Sequence, residues 1–263
     1  MSSPVVPTSL VYRWREGELE LLDYCDTIDA RVEVADSWFV SDGRTLGLQL
    51  HRDRFLAGID DDRFPTIDAE SFWDAAIAAV PANGDWFPRV ELQSRSGAPQ
   101  LVFRLRSAPV REKSVVLATA PGPDPRVAPW TKGPDLATML RLRTDAQTLG
   151  AGEAVILDDD GFVVEGAYSA LVWWRGAILC TPPDDFPRVP SVTARSLVTL
   201  ATALGTETFA EAVTPSELDG VELWALSALH GPRIVTSWID GPELAELPGR
   251  LQAWRGRLEA LAR

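Results

Sequence analysis

Glu153-Ala154-Val155-Ile156-Leu157-Asp158-Asp159-Asp160-Gly161-Phe162-Val163-Val164-Glu165-Gly166 is the stretch on which the fold turns. Ala154 to Leu157 and Phe162 to Val164 are apolar, β-branched runs too short for helices, and the turn-formers Asp158 to Gly161 separate them. The expected unit is therefore strand, turn, strand. Tripled aspartate before glycine reads as a solvated turn, as does Asp60 to Asp62, since neither has calcium-loop spacing. Upstream, a helix is expected from about Asp135 to Leu149, ended by Gly150. Downstream, Leu171–Trp174 and Ala177–Cys180 pair around Arg175-Gly176, and a helix spans Val192–Leu204. Strands near Glu222–Leu226 and Arg233–Trp238 then precede a terminal helix.

Ahead of this region, Pro121-Gly122-Pro123-Asp124-Pro125 admits neither helix nor central strand. It predicts a lobe boundary: residues 1–120 as an α+β lobe, 121–131 as linker, and 132–263 as a second lobe. Met1-Ser2-Ser3-Pro4 reads as a disordered start. In the first lobe, Val11–Trp14 and Leu19–Leu22 form a hairpin about Glu16-Gly17, and a strand runs Val32–Val40. Helices follow over Leu48–Ile59 and from the N-cap Asp68 to Val80, with Pro81 as the stop. Phe87–Leu92, Leu101–Leu105 and Val115–Ala118 read as strands. The fold class is mixed α+β/α/β, in two lobes.

The chain has 263 residues, of which 46% are hydrophobic and 24% charged, and its mean hydropathy is −0.03. No apolar run is long enough to cross a bilayer, so no membrane partner is expected. No charged-then-apolar leader opens the chain, which leaves secretion unindicated. The net charge is −13, and no basic block interrupts it, so a polyanion would be repelled and nucleic acid is disfavoured as a partner. Cys25 and Cys180 exclude a disulfide framework or a cysteine-rich zinc site, and a reducing cytoplasm fits.

Two histidines, His51 and His230, stand too far apart for a helical zinc motif, and no metal is expected. A nucleophile elbow, a dinucleotide fingerprint and a phosphate-binding NTPase loop are likewise missing. Of the 25 basic residues all but two are arginine, the exceptions being Lys113 and Lys132. Arginine cannot form a Schiff base, whereas a desolvated lysine can, so each lysine is a candidate.

Lys132 stands after the linker, ahead of Asp135, Glu153-Ala154 and the Asp160-to-Gly166 turn. Ser169, Trp173-Trp174, Thr181-Pro182 and Pro190-Ser191-Val192-Thr193 follow in that order. Asp42-Gly43 with His51-x-x-Arg54-Phe55 lies in the first half, and Leu223 to Leu229 with Gly231 and Ile234-Val235 near the end. This order and spacing resembles the class IV aminotransferase family, the fold-type IV pyridoxal-phosphate enzymes. Branched-chain and D-amino-acid transaminases and aminodeoxychorismate lyase belong to it. The likeness runs from about residue 11 to residue 240, and the Lys132 to Glu153 interval is similar to that of the lyases.

The resemblance implies a two-lobed, D-amino-acid-aminotransferase-like fold with pyridoxal 5′-phosphate as cofactor. Lys132 would be the catalytic residue, forming the Schiff base and shuttling the proton. Glu165 would face the pyridine nitrogen. Arg54, the first-turn residues Val192 and Thr193, and Ser227 would hold the phosphate. The implied activity is transfer of an amino group between an amino acid and a 2-oxo acid, with pyruvate elimination from an aminodeoxychorismate-like substrate as the alternative. A homodimer acting on small molecules in the cytoplasm follows from the same likeness.

The chain also departs from the pattern. Val32 to Ser37 stands where the family has a glycine-rich segment, and Ala170 where it has asparagine. Ala137 replaces a tyrosine of the branched-chain members, Ser191 replaces a glycine, and Ala194 intervenes before Arg195. These departures keep open a third reading, a catalytically silent binding or scaffold protein, and they leave Lys132 and Glu165 untouched.

Overall fold

The computed structural model describes residues 9–22, 30–60, 62–95 and 98–263. The readings on Met1-Ser2-Ser3-Pro4, Cys25 and Asp61 lie outside the described residues. The chain divides into two units. One takes in Met1–Val110 with Lys132–Pro134 and Arg263, the other Arg111–Thr131 with Asp135–Ala262.

In the first unit the elements run β1 (Ser9–Arg15), β2 (Glu18–Leu21), β3 (Arg31–Ser37), β4 (Val40–Ser41), α1 (Leu48–Ala57), α2 (Ala69–Ala78), β5 (Asp85–Trp86), β6 (Arg89–Arg95) and β7 (Ala98–Arg106). Five strands make a sheet in the order β2-β1-β7-β6-β3, with every neighbour antiparallel, and β4 pairs with β5. Glu16 and Gly17 both have positive φ, 53° and 86°, the backbone that a two-residue hairpin needs. Alternation in the strands sorts the two faces of the sheet. Leu101, Phe103 and Leu105 of β7 and Val90 and Leu92 of β6 join Phe55, Phe72 and Trp73 of the helices in one core. Val102, Arg104 and Arg106, with Arg89, Glu91 and Gln93, point the other way. Asp68 caps α2 as read from the sequence, accepting from Ser71 N at 3.1 Å.

The second unit continues with β8 (Ser114–Thr119), α3 (Leu136–Thr148), β9 (Glu153–Leu157), β10 (Val163–Gly166), β11 (Ala170–Arg175), β12 (Ile178–Thr181), α4 (Val192–Ala203), β13 (Thr208–Ala210), β14 (Glu222–Ser227), β15 (Gly231–Ile239) and α5 (Arg250–Glu259). Eight strands form a mixed sheet in the order β10-β9-β8-β15-β14-β11-β12-β13. β8 runs parallel to both β9 and β15, which buries Val115, Leu117, Val155 and Val235 in the sheet's core.

Two boundaries differ from the sequence expectation. The chain enters the second unit at Arg111, not after residue 120, because β8 hydrogen-bonds into the second sheet. The proline-rich run forbids regular structure without deciding which sheet its neighbours join, and residues 121–131 belong with the second unit. The strand expected over Val32–Val40 is broken into β3 and β4 at Trp38-Phe39, where the Trp38 indole turns into the core, 1% exposed.

Candidate functional site

Lys132 opens the three residues that leave the second unit and run along the edge of β3. Its carbonyl accepts from Ala35 N at 2.7 Å, so the lysine's backbone caps an edge strand that would otherwise expose that donor. The close approach depends on Gly133. A Cβ there would lie 2.7 Å from Val34 Cα and 2.8 Å from Ala35 N, and the residue holds φ +144°, where side chains are strained. The bond and the missing side chain together fix where the lysine leaves the main chain.

Arg54 and His51 lie on one face of α1, three residues apart, and both reach Asp36 of β3. Arg54 donates through Nε to Asp36 Oδ2 and through Nη2 to Oδ1, at 2.7 and 2.8 Å. His51 Nδ1 lies 2.7 Å from Oδ1. Burial would raise the Asp36 pKa, but the Arg54 charge and His51 outweigh it and hold the carboxyl far below its usual range. Burial pushes His51 down, with the charges of Arg54 and Lys132 acting the same way against Asp36. The imidazole is thus neutral at pH 7 and donates its Nδ1 proton to the carboxylate. Arg54, read from the sequence as a phosphate ligand, has its planar fork engaged by this aspartate. The polar partner Asp36 was invisible in the sequence, since it occupies an inward strand position that ordinarily takes an apolar residue.

Glu165 stands on β10, brought next to β9 by the hairpin. Asp158 makes that turn as expected, its Oδ1 accepting from Asp160 N and Phe162 N at 3.1 and 2.7 Å. Glu165 is 8% exposed, and its Oε1 accepts from Val189 N at 3.1 Å and from Arg126 Nη1. Arg126 was not singled out in the sequence. Its side chain is 2% exposed, and it also binds Asp124 through Nε and Nη2 and the Pro187 carbonyl at 2.7 Å. Burial alone would lower the Arg126 pKa. Asp124 and Glu165 reverse this and raise it, so the guanidinium is a permanent cation beside Glu165. Gly166 lets the chain turn immediately afterwards, for a Cβ would meet Ser169 Oγ at 2.6 Å and Glu153 Cγ at 3.0 Å.

The same loop is tied at Asp135. Its carboxylate accepts from Val127 N and Ala128 N at 3.0 and 2.9 Å instead of capping α3. α4 is capped by Ser191, whose Oγ accepts from Ala194 N at 3.2 Å. Among the described residues the N–H groups of Val192 and Thr193 find no acceptor, although both residues are buried, at 4% and 3% exposed. Two oriented donors at the positive end of a helix dipole, beside the Thr193 hydroxyl, suit a phosphate group. Ser227 ends β14 and accepts from His230 N at 3.2 Å, which leaves its hydroxyl proton to donate. Lys132 and Arg54 therefore belong to the first unit, and Glu165, Val192, Thr193 and Ser227 to the second.

The sequence profile described as "Amino-transferase class IV" matches residues 33–238. No curated protein matches the chain. Among solved structures, a fold IV-transaminase from Curtobacterium pusillum is similar, with a TM-score of 0.79 and 18% identity over 96% of this chain and 98% of that one. A hypothetical aminotransferase from Mycobacterium tuberculosis, with alpha-ketoglutarate and PMP bound, gives 0.78 and 20% over the same shares. A putative 4-amino-4-deoxychorismate lyase from Legionella pneumophila gives 0.73 and 16%, over 88% and 94%.

Proposed function

Since the chain belongs to the class IV aminotransferase family, we propose that it uses pyridoxal 5′-phosphate to move an amino group between an amino acid and a 2-oxo acid. The buried donors at the amino end of α4 carry this reading, because two N–H groups without acceptors among the described residues, and a hydroxyl at the same helix end, suit an anion. When bound, pyridoxal phosphate supplies an aldehyde that condenses with amines and a ring that takes up the electron pair left at substrate Cα.

Lys132 Nζ is the amine assigned to hold that aldehyde. Nζ would also be the base that moves the Cα proton, and the Ala35 N–H bond to the Lys132 carbonyl would keep the side chain's origin fixed. Glu165 is assigned to the ring nitrogen. Arg126 and Val189 N hold its carboxylate through Oε1, so that it meets a cation without reorientation. Val192 and Thr193 N–H and the Thr193 and Ser227 hydroxyls are assigned to the phosphate. Arg54, engaged with Asp36, contributes its charge more than its fork.

Pyruvate elimination from an aminodeoxychorismate-like substrate is the alternative, and the likeness to the putative lyase supports keeping it. Incubation of the enzyme with an amino donor and no acceptor separates the two. Accumulation of pyridoxamine phosphate supports transfer, and pyruvate release without it supports elimination. A protein that shows neither change and binds no cofactor is the silent relative. A homodimer in the cytoplasm completes the proposal. Among the described residues no helix is long and apolar enough to cross a membrane.

A further inference from the structure

Arg126 reaches Glu165 from a run of chain that its own neighbours hold in one shape. Its main-chain N–H donates to Asp124 Oδ1 at 3.0 Å, and the next two N–H groups, of Val127 and Ala128, go to the Asp135 carboxylate. The guanidinium is bidentate on Asp124, with Nε 2.9 Å from Oδ1 and Nη2 2.7 Å from Oδ2. Nη2 also donates to the Pro187 carbonyl, and Nη1 to Glu165 Oε1. Two residues beyond Pro187, Val189 N donates to that same Oε1 at 3.1 Å. One carboxylate oxygen of Glu165 thus takes a cationic donor and a main-chain donor together, and Arg126 ties down the segment that supplies the second.

Resting on the assignment of Glu165 to the ring nitrogen of pyridoxal phosphate, we infer that Arg126 is the positioning residue that decides where the proton between the two lies. It holds the carboxylate as the anion and leaves the proton on the nitrogen. Glu165 is only 8% exposed, and burial by itself favours the uncharged pair, a carboxylic acid facing a neutral pyridine. Hydrogen bonds to the charged form oppose this, and one that involves a charged group shifts such a balance by roughly tenfold to a hundredfold. Oε1 receives two. The cation is itself secure: burial works against its charge, and Asp124, Glu165 and Asp135 outweigh the burial. Its fork is fixed before any ligand arrives, so no reorganisation is needed to support the anion. The consequence is chemical, because a protonated ring draws electrons from the substrate more strongly than a neutral one.

Nitrogen NMR of the protein loaded with pyridoxal phosphate, isotope-labelled at the ring nitrogen, reads the proton directly. In the unaltered protein at neutral pH the resonance should lie at the protonated-pyridine end of its range. In Arg126→Gln, compared at equal cofactor loading, it should move at least about halfway to the neutral-pyridine end. Ser191→Ala, which removes the cap of α4 and keeps Arg126, should leave it in place. A second measurement needs no variant to fold. A cofactor analogue with carbon in place of the ring nitrogen should bind the unaltered protein at least about tenfold more weakly than pyridoxal phosphate, since the anion then faces no cation. A resonance that stays put in Arg126→Gln, one that moves as far in Ser191→Ala, or an analogue that binds as tightly as the cofactor would each overturn the role of Arg126 and leave the cofactor reading standing. A protein that takes up no labelled cofactor would overturn that reading and the role of Arg126 with it.

Discussion

At the scale of single residues, Gly133 and Arg126 have neighbours that leave each one arrangement. Gly133→Ala would push a methyl into the backbone of β3 at a distance no real Cβ tolerates, in a conformation alanine avoids. The expected result is a loss of roughly 2 kcal/mol or more in denaturant unfolding. A large fall in turnover should accompany it, since Lys132 must shift with its neighbour. Arg126→Met would strand the carboxylates of Glu165 and Asp124 in a poorly hydrated place. The expected destabilisation is roughly 3 kcal/mol, measured by the same unfolding. Arg126→Lys should restore only part of it, because one ammonium cannot serve Asp124, Glu165 and the Pro187 carbonyl together. In the sequence Lys132 stands out by the scarcity of lysine and Glu165 by its place in the order of motifs. Arg126 and Asp36 do not, because nothing in a proline-rich run or a strand announces a buried ion pair formed with a residue far along the chain.

Between residue and molecule, the elements behaved as their periodicity and caps foretold, and the exceptions have local causes. The hairpin at Asp158–Gly161 and the helices α2 and α4 follow from turn residues and N-caps alone. β4, β5 and β13 escaped because two or three residues make no period. Ser191→Ala removes the cap of α4 and should cost about 1 kcal/mol; fluorescence titration should also show weaker affinity for pyridoxal phosphate, as the donors of that turn lose their anchor. The β14–β15 turn carries a pH response. His230 Nδ1 accepts from Glu112 N at 3.0 Å, so the bond exists only while the ring is neutral. Burial, and then the charges of Arg233, Arg143, Arg111 and Arg255, bring its pKa from 6.5 down to about 4. The unfolded chain therefore takes up this proton before the folded one. Stability is full above pH 6.5 and falls as the pH drops toward 4. Melting temperatures over that range should decline, and His230→Asn, which keeps an acceptor near the Nδ1 position and cannot charge, should flatten part of the decline.

For the molecule as a whole, what reads most clearly from sequence is the family, and what reads least clearly is where one unit gives way to the other. The family pattern depends on the order of small motifs, which the sequence displays directly. The unit boundary depends on which sheet adopts β8 and on three residues, Lys132–Pro134, that cluster with the first unit from within the second unit's sequence. Strand pairing across such distances leaves no local trace. The charge balance of the intact chain, −13, also has a functional corollary. An acidic surface slows the approach of anionic substrates, most of all at low ionic strength. The most direct test of the central claim is chemical. Borohydride reduction of the protein loaded with pyridoxal phosphate, followed by peptide mass mapping, should place the pyridoxyl label on Lys132 and lose it in a folded Lys132→Ala variant. A label found on Lys113 instead, or none on a fully loaded protein, would contradict the account.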